Sequence, residues 1–352
     1  MISKVREVFC TVAAQEDNLG DIEIRQQMLN MVSGPSTRLH VSLGAMSSDY
    51  VDAFTFPPGT RLYRSSVRLG LRFLVESLRG RSALIFPPGP YPANTFRSAV
   101  RSFASLVAIR VAGLRGGPSI TVGKSVRGTH RLAIAAERSV AKASAIYVAR
   151  DLRTADALGL PIRNSPDIAL LEAPRVALEP RYFTISIRYD RKVSDDVLGA
   201  LIKWARTEGL EPVFVSQVQR DDAQHRLLAS RLGAQAFEWG ARTHAEQLLA
   251  VRRVYEASAF VVTDRLHVAL FGVVGGAVPI AFTSAGEPSK ISAAFEGVLP
   301  FVQVDRDNPS SVSRIDEIGF EDLRRQLRTE GVRARNDLLS LVDGVRRVLA
   351  RT

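Results

Sequence analysis

Apolar residues along the chain fall into short runs, separated by longer stretches in which they recur every three or four positions. In the first half the runs "VREVFCTV" (5–12), "RLHVSLG" (38–44), "SALIFPPG" (82–89), "SITVG" (119–123) and "AIYVARD" (145–151) read as strands. The periodic stretches 21–32, 66–79, 94–113 and 129–142 read as helices between them. Such alternation predicts a largely parallel sheet covered on both faces. The pattern breaks at "LLEAPRVALEPR" (170–181), where prolines mark a linker.

It restarts with strands "YFTISIR" (182–188), "EPVFVSQ" (211–217), "AQAFEW" (234–239), "AFVVTD" (259–264) and "VPIAFT" (278–283). Helices are predicted over 195–207, 221–232, 243–257 and 266–274. The fold class that follows is α/β, with two Rossmann-like domains facing a cleft: an N-terminal domain over 1–175 and a C-terminal domain over 181–315. The remaining segment, 316–352, alternates leucine and valine with arginine at helical spacing, and is read as one or two amphipathic helices packing on this scaffold. Attachment of that segment to a membrane surface is the alternative, because basic side chains snorkel in both settings.

Composition narrows the picture. A chain of 352 residues with 46% hydrophobic content has ample material for a core, so disorder and low-complexity readings fail, and no internal repeat stands out. No long uninterrupted apolar segment or signal-like N-terminus is present, which predicts a cytoplasmic protein. The single cysteine, Cys10, lies in an apolar strand and is read as buried and inert. A formal charge of +11 favours anionic partners. No zinc finger, RNP pair or aromatic-basic stripe supports specific nucleic-acid binding, and the arginines run through both halves.

Candidate chemistry clusters where ligands gather in such sheets, beyond the C-terminal ends of strands. After the first strand, "NLGD" offers Asn18, Gly20 and Asp21, either as a turn with a helix cap or as a loop facing an anion or sugar. Arg150 follows the strand "YVA" and Arg188 follows "FTISI"; each is either a structural ion pair or a fork for phosphate or carboxylate. In "VVTDRLHVALFGVVGG", Asp264 is placed to cap a helix, Arg265 to stand at its mouth, and His267 to sit in its first turn, where an imidazole can exchange a proton. Gln217 and Asp222 are candidates for binding acceptor hydroxyls, with Asp222 equally suited to a helix cap, and Lys290 for a mobile positive charge. His40, His130, His225 and His244 show no metal-ligand pattern.

Together these segments resemble the polysaccharide pyruvyltransferase family. The resemblance runs over about residues 5–300 and rests on "NLGD", "VARD", "SPDIALL", "ISIR", "VFVSQVQRDD" and, most specifically, "VVTDRLHVALFGVVGGAVPIAF" with the downstream lysine. It implies a glycosyltransferase-B-like fold and transfer of pyruvate from phosphoenolpyruvate to a sugar as a cyclic ketal. It also implies that Arg150, Arg265 and His267 are donor-site residues, with His267 the acid/base group. By the same resemblance the acceptor is a polysaccharide, glycolipid or lipid-linked glycan; the chemistry demands no redox cofactor and no metal. The proline-rich loop "IFPPGPYPANTF" (85–96) departs from the glycine-rich turn of many relatives. A nucleotide-sugar glycosyltransferase and a non-catalytic glycan-binding protein are the alternative readings.

Overall fold

The computed structural model describes residues 5–175, 179–284, 289–317 and 319–351, and the chain divides into two compact units. The first comprises residues up to 16, 21–168 and 337 onward; the second comprises 17–20 and 169–336. The division therefore falls at Ile168, and the C-terminal residues from Asp337 group with the first unit.

The first unit runs β1 (Arg6–Thr11), α1 (Leu19–Val32), β2 (Thr37–Ser42), α2 (Ser48–Asp52), β3 (Arg61–Tyr63), α3 (Ser66–Leu78), β4 (Ser82–Phe86) and β5 (Gly89–Pro92). It continues through α4 (Phe96–Gly113), β6 (Ser119–Arg127), α5 (Arg131–Ala143), β7 (Ile146–Ala149), α6 (Leu152–Leu158) and β8 (Arg163–Asn164). All its pairings are parallel, in the order β3-β2-β1-β4-β6-β7-β8, with β5 paired to the far end of β6. The order reverses at β1 and β4. Right-handed crossovers then put α3, α4 and α5, which all step in one direction along the sheet, on the same face.

The second unit runs β9 (Tyr182–Ser186), α7 (Asp195–Thr207), β10 (Glu211–Val215), α8 (Asp222–Leu232), β11 (Gln235–Phe237), α9 (His244–Glu256) and β12 (Ser258–Thr263). Then come α10 (Leu266–Gly275), β13 (Val278–Thr283), α11 (Lys290–Phe295), β14 (Val302–Asp305) and α12 (Phe320–Ala350). Its parallel order is β11-β10-β9-β12-β13-β14, so the switch point lies between β9 and β12. Buried Phe183, Ile185, Leu201, Val262 and Ile280 hold helices to this sheet. Thr243 and Glu246 close a capping box on α9, and Gly233 ends α8 at a positive φ of 62° that a side chain would strain.

Two Rossmann-like, parallel-sheet α/β domains are thus what the chain forms. The C-terminal segment is one helix, α12, and its apolar stripe is spent on packing: Leu327, Ala334, Leu338, Leu341, Val345 and Leu349 are all buried. Buried Arg6 donates to the carbonyls of Leu349, Arg351 and Gly80, tying the end of that helix to the first sheet. The short elements β3, β8, β14, α6 and α11 carry too few residues for a periodic signal, and the sequence pattern does not predict them. Among the described residues no helix is long and apolar enough to cross a membrane.

Candidate functional site

At the switch point of the second unit, β9 and β12 run side by side and end in Arg188 and Asp264-Arg265. β12 is buried throughout, and the strand stops where the Thr263 hydroxyl takes the backbone N–H of Arg265 at 2.9 Å. Asp264, expected as the helix cap, does not cap. Its Oδ1 accepts the Arg188 N–H at 3.1 Å across the switch point, while Oδ2 lies 3.7 Å from Arg191 Nε. Helix α10 consequently starts at Leu266 with no side-chain cap. Burial pushes the Asp264 carboxyl up from its ordinary value, although Arg265, Arg191 and Arg188 pull the other way.

Arg265 reaches Asp221, with Nη2 at 2.7 and 2.6 Å from the two carboxylate oxygens. Asp221 is fully buried and also takes the Tyr189 N–H at 3.1 Å; burial raises its pKa against the pull of Arg265. The neighbouring Asp222, a candidate for binding acceptor hydroxyls or capping a helix, is engaged with backbone amides. Its two oxygens accept the backbone amides of Trp239 at 2.8 Å and Gly240 at 2.9 Å, so it pins the loop after β11. Nothing in "QRDD" separates the two aspartates; the 3-10 turn Gln219–Asp221 before α8 does. Gln217 is buried and accepts from the Tyr255 hydroxyl at 3.3 Å. The Arg188 guanidinium forks onto Asp190 at 2.8 and 2.6 Å, which holds the Asp190 carboxyl down at about 2.

His267 occupies the first turn of α10, against Gly20. A Cβ on Gly20 would lie 2.4 Å from His267 Cβ and Nδ1, so only glycine fits there. The flanking residues fix this approach. Asn18 bridges Val218, the Leu19 N–H donates to the Gln217 carbonyl at 3.3 Å, and Arg220 grips Asp17 with two contacts of 2.6 Å. Asn18 Oδ1 accepts the Gly20 N–H at 3.1 Å. Gly20 permits a close approach, and what approaches it is the His267 side chain. Asp21 is no cap: it lies inside α1 and pairs with Arg25 at 2.8 Å.

In the first unit, buried Arg150 follows β7 and pairs through Nη1 with Asp167 at 2.9 Å. Asp151 caps α6 through Thr154. Both Arg150 and Arg265 bury an Nε–H that finds no hydrogen-bond partner among the described residues. An orphaned buried donor costs about 1–3 kcal/mol, which an acceptor oxygen on a ligand would recover. The proline-rich stretch after β4 forms β5, stiffened at the switch point of its own sheet. Lys290 opens α11 behind its Ser289 cap, and residues 285–288 before it lie outside the described ones.

His225, fully buried between Ser216 Oγ at 2.8 Å and the Ile187 backbone at 3.0 Å, is kept neutral by burial, which lowers its pKa to about 4. Cys10 is buried and its thiol is pushed up to about 12. A hollow of about 360 Å³ lined by Glu172, Arg175, Val273, Leu327 and Val332 lies at the opposite end of α10 from Arg265. Among the described residues no group of three or more His, Cys, Asp or Glu could hold a metal ion.

Comparison with family models matches residues 36–285 to polysaccharide pyruvyl transferase. Comparison with curated proteins gave no match. Among solved structures, the chain is similar to UDP-GlcNAc 2-epimerase from Neisseria meningitidis bound to UDP-GlcNAc, with a TM-score of 0.58, 10% identity, and 96% of this chain and 99% of that one covered. It is also similar to MurG from Acinetobacter baumannii, with a TM-score of 0.52, 10% identity, and 97% and 99% covered. At such identities the likeness is one of fold, the glycosyltransferase-B-like pair of parallel-sheet domains.

Proposed function

The chain belongs to the polysaccharide pyruvyl transferase family, an enzyme family that moves pyruvate onto polysaccharide, and from that premise we propose that the donor is phosphoenolpyruvate and the product a cyclic ketal on a sugar of a polysaccharide, glycolipid or lipid-linked precursor. The observation that carries the reading is the charged group at the switch point of the second unit. There a buried aspartate, Asp221, fixes Arg265 beside the uncapped start of α10, and His267 stands in the first turn of that helix. Two fixed positive elements, a guanidinium and a helix N-terminus, suit a small molecule that carries both phosphate and carboxylate.

In this mechanism Arg265 binds a donor oxygen through its buried Nε–H, Arg188 adds charge at the same switch point, and Lys290 is assigned a further positive charge for the donor. His267 delivers a proton to the enol methylene, which becomes the ketal methyl, as a sugar hydroxyl bonds to the adjacent carbon. The carbon–oxygen bond to phosphate then breaks, positive charge develops at that carbon, and a second hydroxyl of the same sugar closes the ring. One hydroxyl proton replaces the one His267 gave up, and the other leaves with phosphate. Protonation at one carbon and addition of oxygen at its neighbour offset each other, so the reaction involves no net oxidation or reduction and needs no redox cofactor. Arg150, with Asp167 behind it, is assigned to anion binding on the first unit.

The test is to incubate the protein with phosphoenolpyruvate and a panel of simple and lipid-linked sugars, following phosphate release and glycan mass together. Acceptor-dependent phosphate with a mass gain of one pyruvate less one water supports the proposal. Binding of a uridine or guanosine diphosphate sugar with no binding of phosphoenolpyruvate would replace it with nucleotide-sugar chemistry.

A further inference from the structure

The excess positive charge of this protein sits in one stretch. Between Asp52 and Glu137 the chain carries twelve arginines and one lysine against a single acid, Glu76; the stretch is +12, and the rest of the +11 chain is close to neutral at −1. Glu76 is buried and already paired to Arg72 at 2.8 Å and Arg79 at 3.0 Å, so it offers no negative charge to solvent. Among the described residues, Arg68, Arg97, Arg101 and Arg110 make no ion pair.

Within the same stretch the chain exposes apolar residues in two ordered stripes. On α3, Val67, Leu71, Leu74 and Leu78 recur every three or four residues, and Val67 is 72% exposed. On α4, Phe96, Val100, Phe103 and Val107 repeat the spacing, with Phe96 and Phe103 65% and 62% exposed. The two helices touch each other and cover the same face of the first sheet. Each carries an apolar-arginine pair repeated at four residues: Val67-Arg68 and Leu71-Arg72 on α3, Phe96-Arg97 and Val100-Arg101 on α4. Adjacent residues on a helix lie about 100° apart, so these arginines line one flank of each stripe.

We propose that the outer face of α3 and α4 is a docking surface for an anionic phospholipid bilayer, with the stripes seated at the acyl boundary and the flanking arginines on lipid phosphates. The pattern is that of an interfacial amphipathic helix, here doubled and held rigid on a sheet. Nucleic acid, an anionic polymer, would leave large exposed aromatic and aliphatic side chains without an apolar partner. A second copy of the chain would set two strongly positive faces against one another. The face is separate from the transfer chemistry above, and its test needs no substrate.

The test sediments the full chain with vesicles of phosphatidylcholine alone and with vesicles in which about one-third of the lipid is phosphatidylglycerol. Binding to the anionic vesicles only is expected. Phe96→Ser combined with Phe103→Ser should weaken it by about tenfold or more. Leu71→Ser with Leu78→Ser should do the same from the other helix. Arg97→Gln with Arg101→Gln should weaken binding and flatten its dependence on salt. The residues are exposed, so an unchanged melting temperature confirms a native fold, and the two apolar pairs act as independent checks should one variant misfold. Three results would overturn the proposal: no binding to anionic vesicles, binding that none of the apolar substitutions alters, or a concentration-dependent dimer that the same substitutions dissolve.

Discussion

Gly20→Ala is the sharpest perturbation the structure offers. The new methyl would lie 2.4 Å from both Cβ and Nδ1 of His267, against the 3.4 Å at which ordinary contact begins. Either the histidine or the loop must retreat by about 1 Å. Rotating the imidazole does not relieve the clash, because His267 Cβ is fixed to α10. The loop is held by the Asn18 bridge, the Leu19–Gln217 hydrogen bond and the Asp17–Arg220 pair, so its yielding is resisted as well. Overpacking of this kind costs about 1–3 kcal/mol of stability. A misplacement of about 1 Å at a proton-transfer group costs about a hundredfold in rate. The assay is kcat and KM for acceptor-dependent phosphate release, with a melting curve on the same sample. The account expects kcat to fall by about two orders of magnitude while most molecules remain folded at the assay temperature. A variant that turns over at the parent rate would refute the role given to His267.

Other substitutions separate structural from chemical roles. Asp222→Ala removes the acceptor of two backbone amides and should lower stability in urea melts by about 1–3 kcal/mol for each amide that water does not reach, leaving KM for donor and acceptor unchanged; a raised acceptor KM would show that Asp222 binds the acceptor. Arg265→Ala leaves Asp221 buried without its cation and should destabilise by about 3–5 kcal/mol, and adding Asp221→Asn should recover much of that stability in urea melts but none of the activity. Asp264 has its pKa raised by burial, so the native state holds its proton more readily than the unfolded chain, and the ionised form penalises folding above the ordinary carboxylate range. Asp264→Asn keeps an acceptor for the Arg188 N–H; it should therefore melt higher than the parent at pH 7, with the difference closing as pH falls through the raised native pKa and gone below about 4. Cys10, with its thiol at about 12, should resist alkylation at pH 8 until the protein is unfolded, as thiol counting with and without denaturant would show.

The long elements were legible because burial imposes a period. The helix expected over 195–207 and the strand over 278–283 occur with those bounds, and α10 and β12 differ from expectation by a residue. The placement of Arg150, Arg188 and Arg265 after strands was also legible, since a strand end is visible where an apolar run meets a charge. What each side chain does there was not. Asp221 rather than Asp222 faces Arg265 because a 3-10 turn decides the phase of α8, and a three-residue turn leaves no periodic trace. Asp264 leaves the helix it precedes because an amide just past the end of a neighbouring strand, far off in sequence, is its donor. Arg188 reads in sequence as either a structural ion pair or a fork for an anion, and in the fold its guanidinium closes on Asp190 two residues away. The charge tells the same lesson in reverse. Arginines are frequent throughout, but summed over the rest of the chain acids balance the basic residues, the excess lies between Asp52 and Glu137, and the two helices that expose this imbalance also expose the apolar stripes.

The central claim is that pyruvate leaves phosphoenolpyruvate, takes a proton at its methylene and becomes a ketal on a sugar. Running the reaction in deuterium oxide with an accepting glycan and weighing the product tests this in one spectrum. The account predicts a glycan heavier by one pyruvate less one water, carrying one deuterium on the new methyl group, and predicts that His267→Ala abolishes it. A glycan of unchanged mass despite bound phosphoenolpyruvate, or a product whose methyl carries no deuterium, would contradict it.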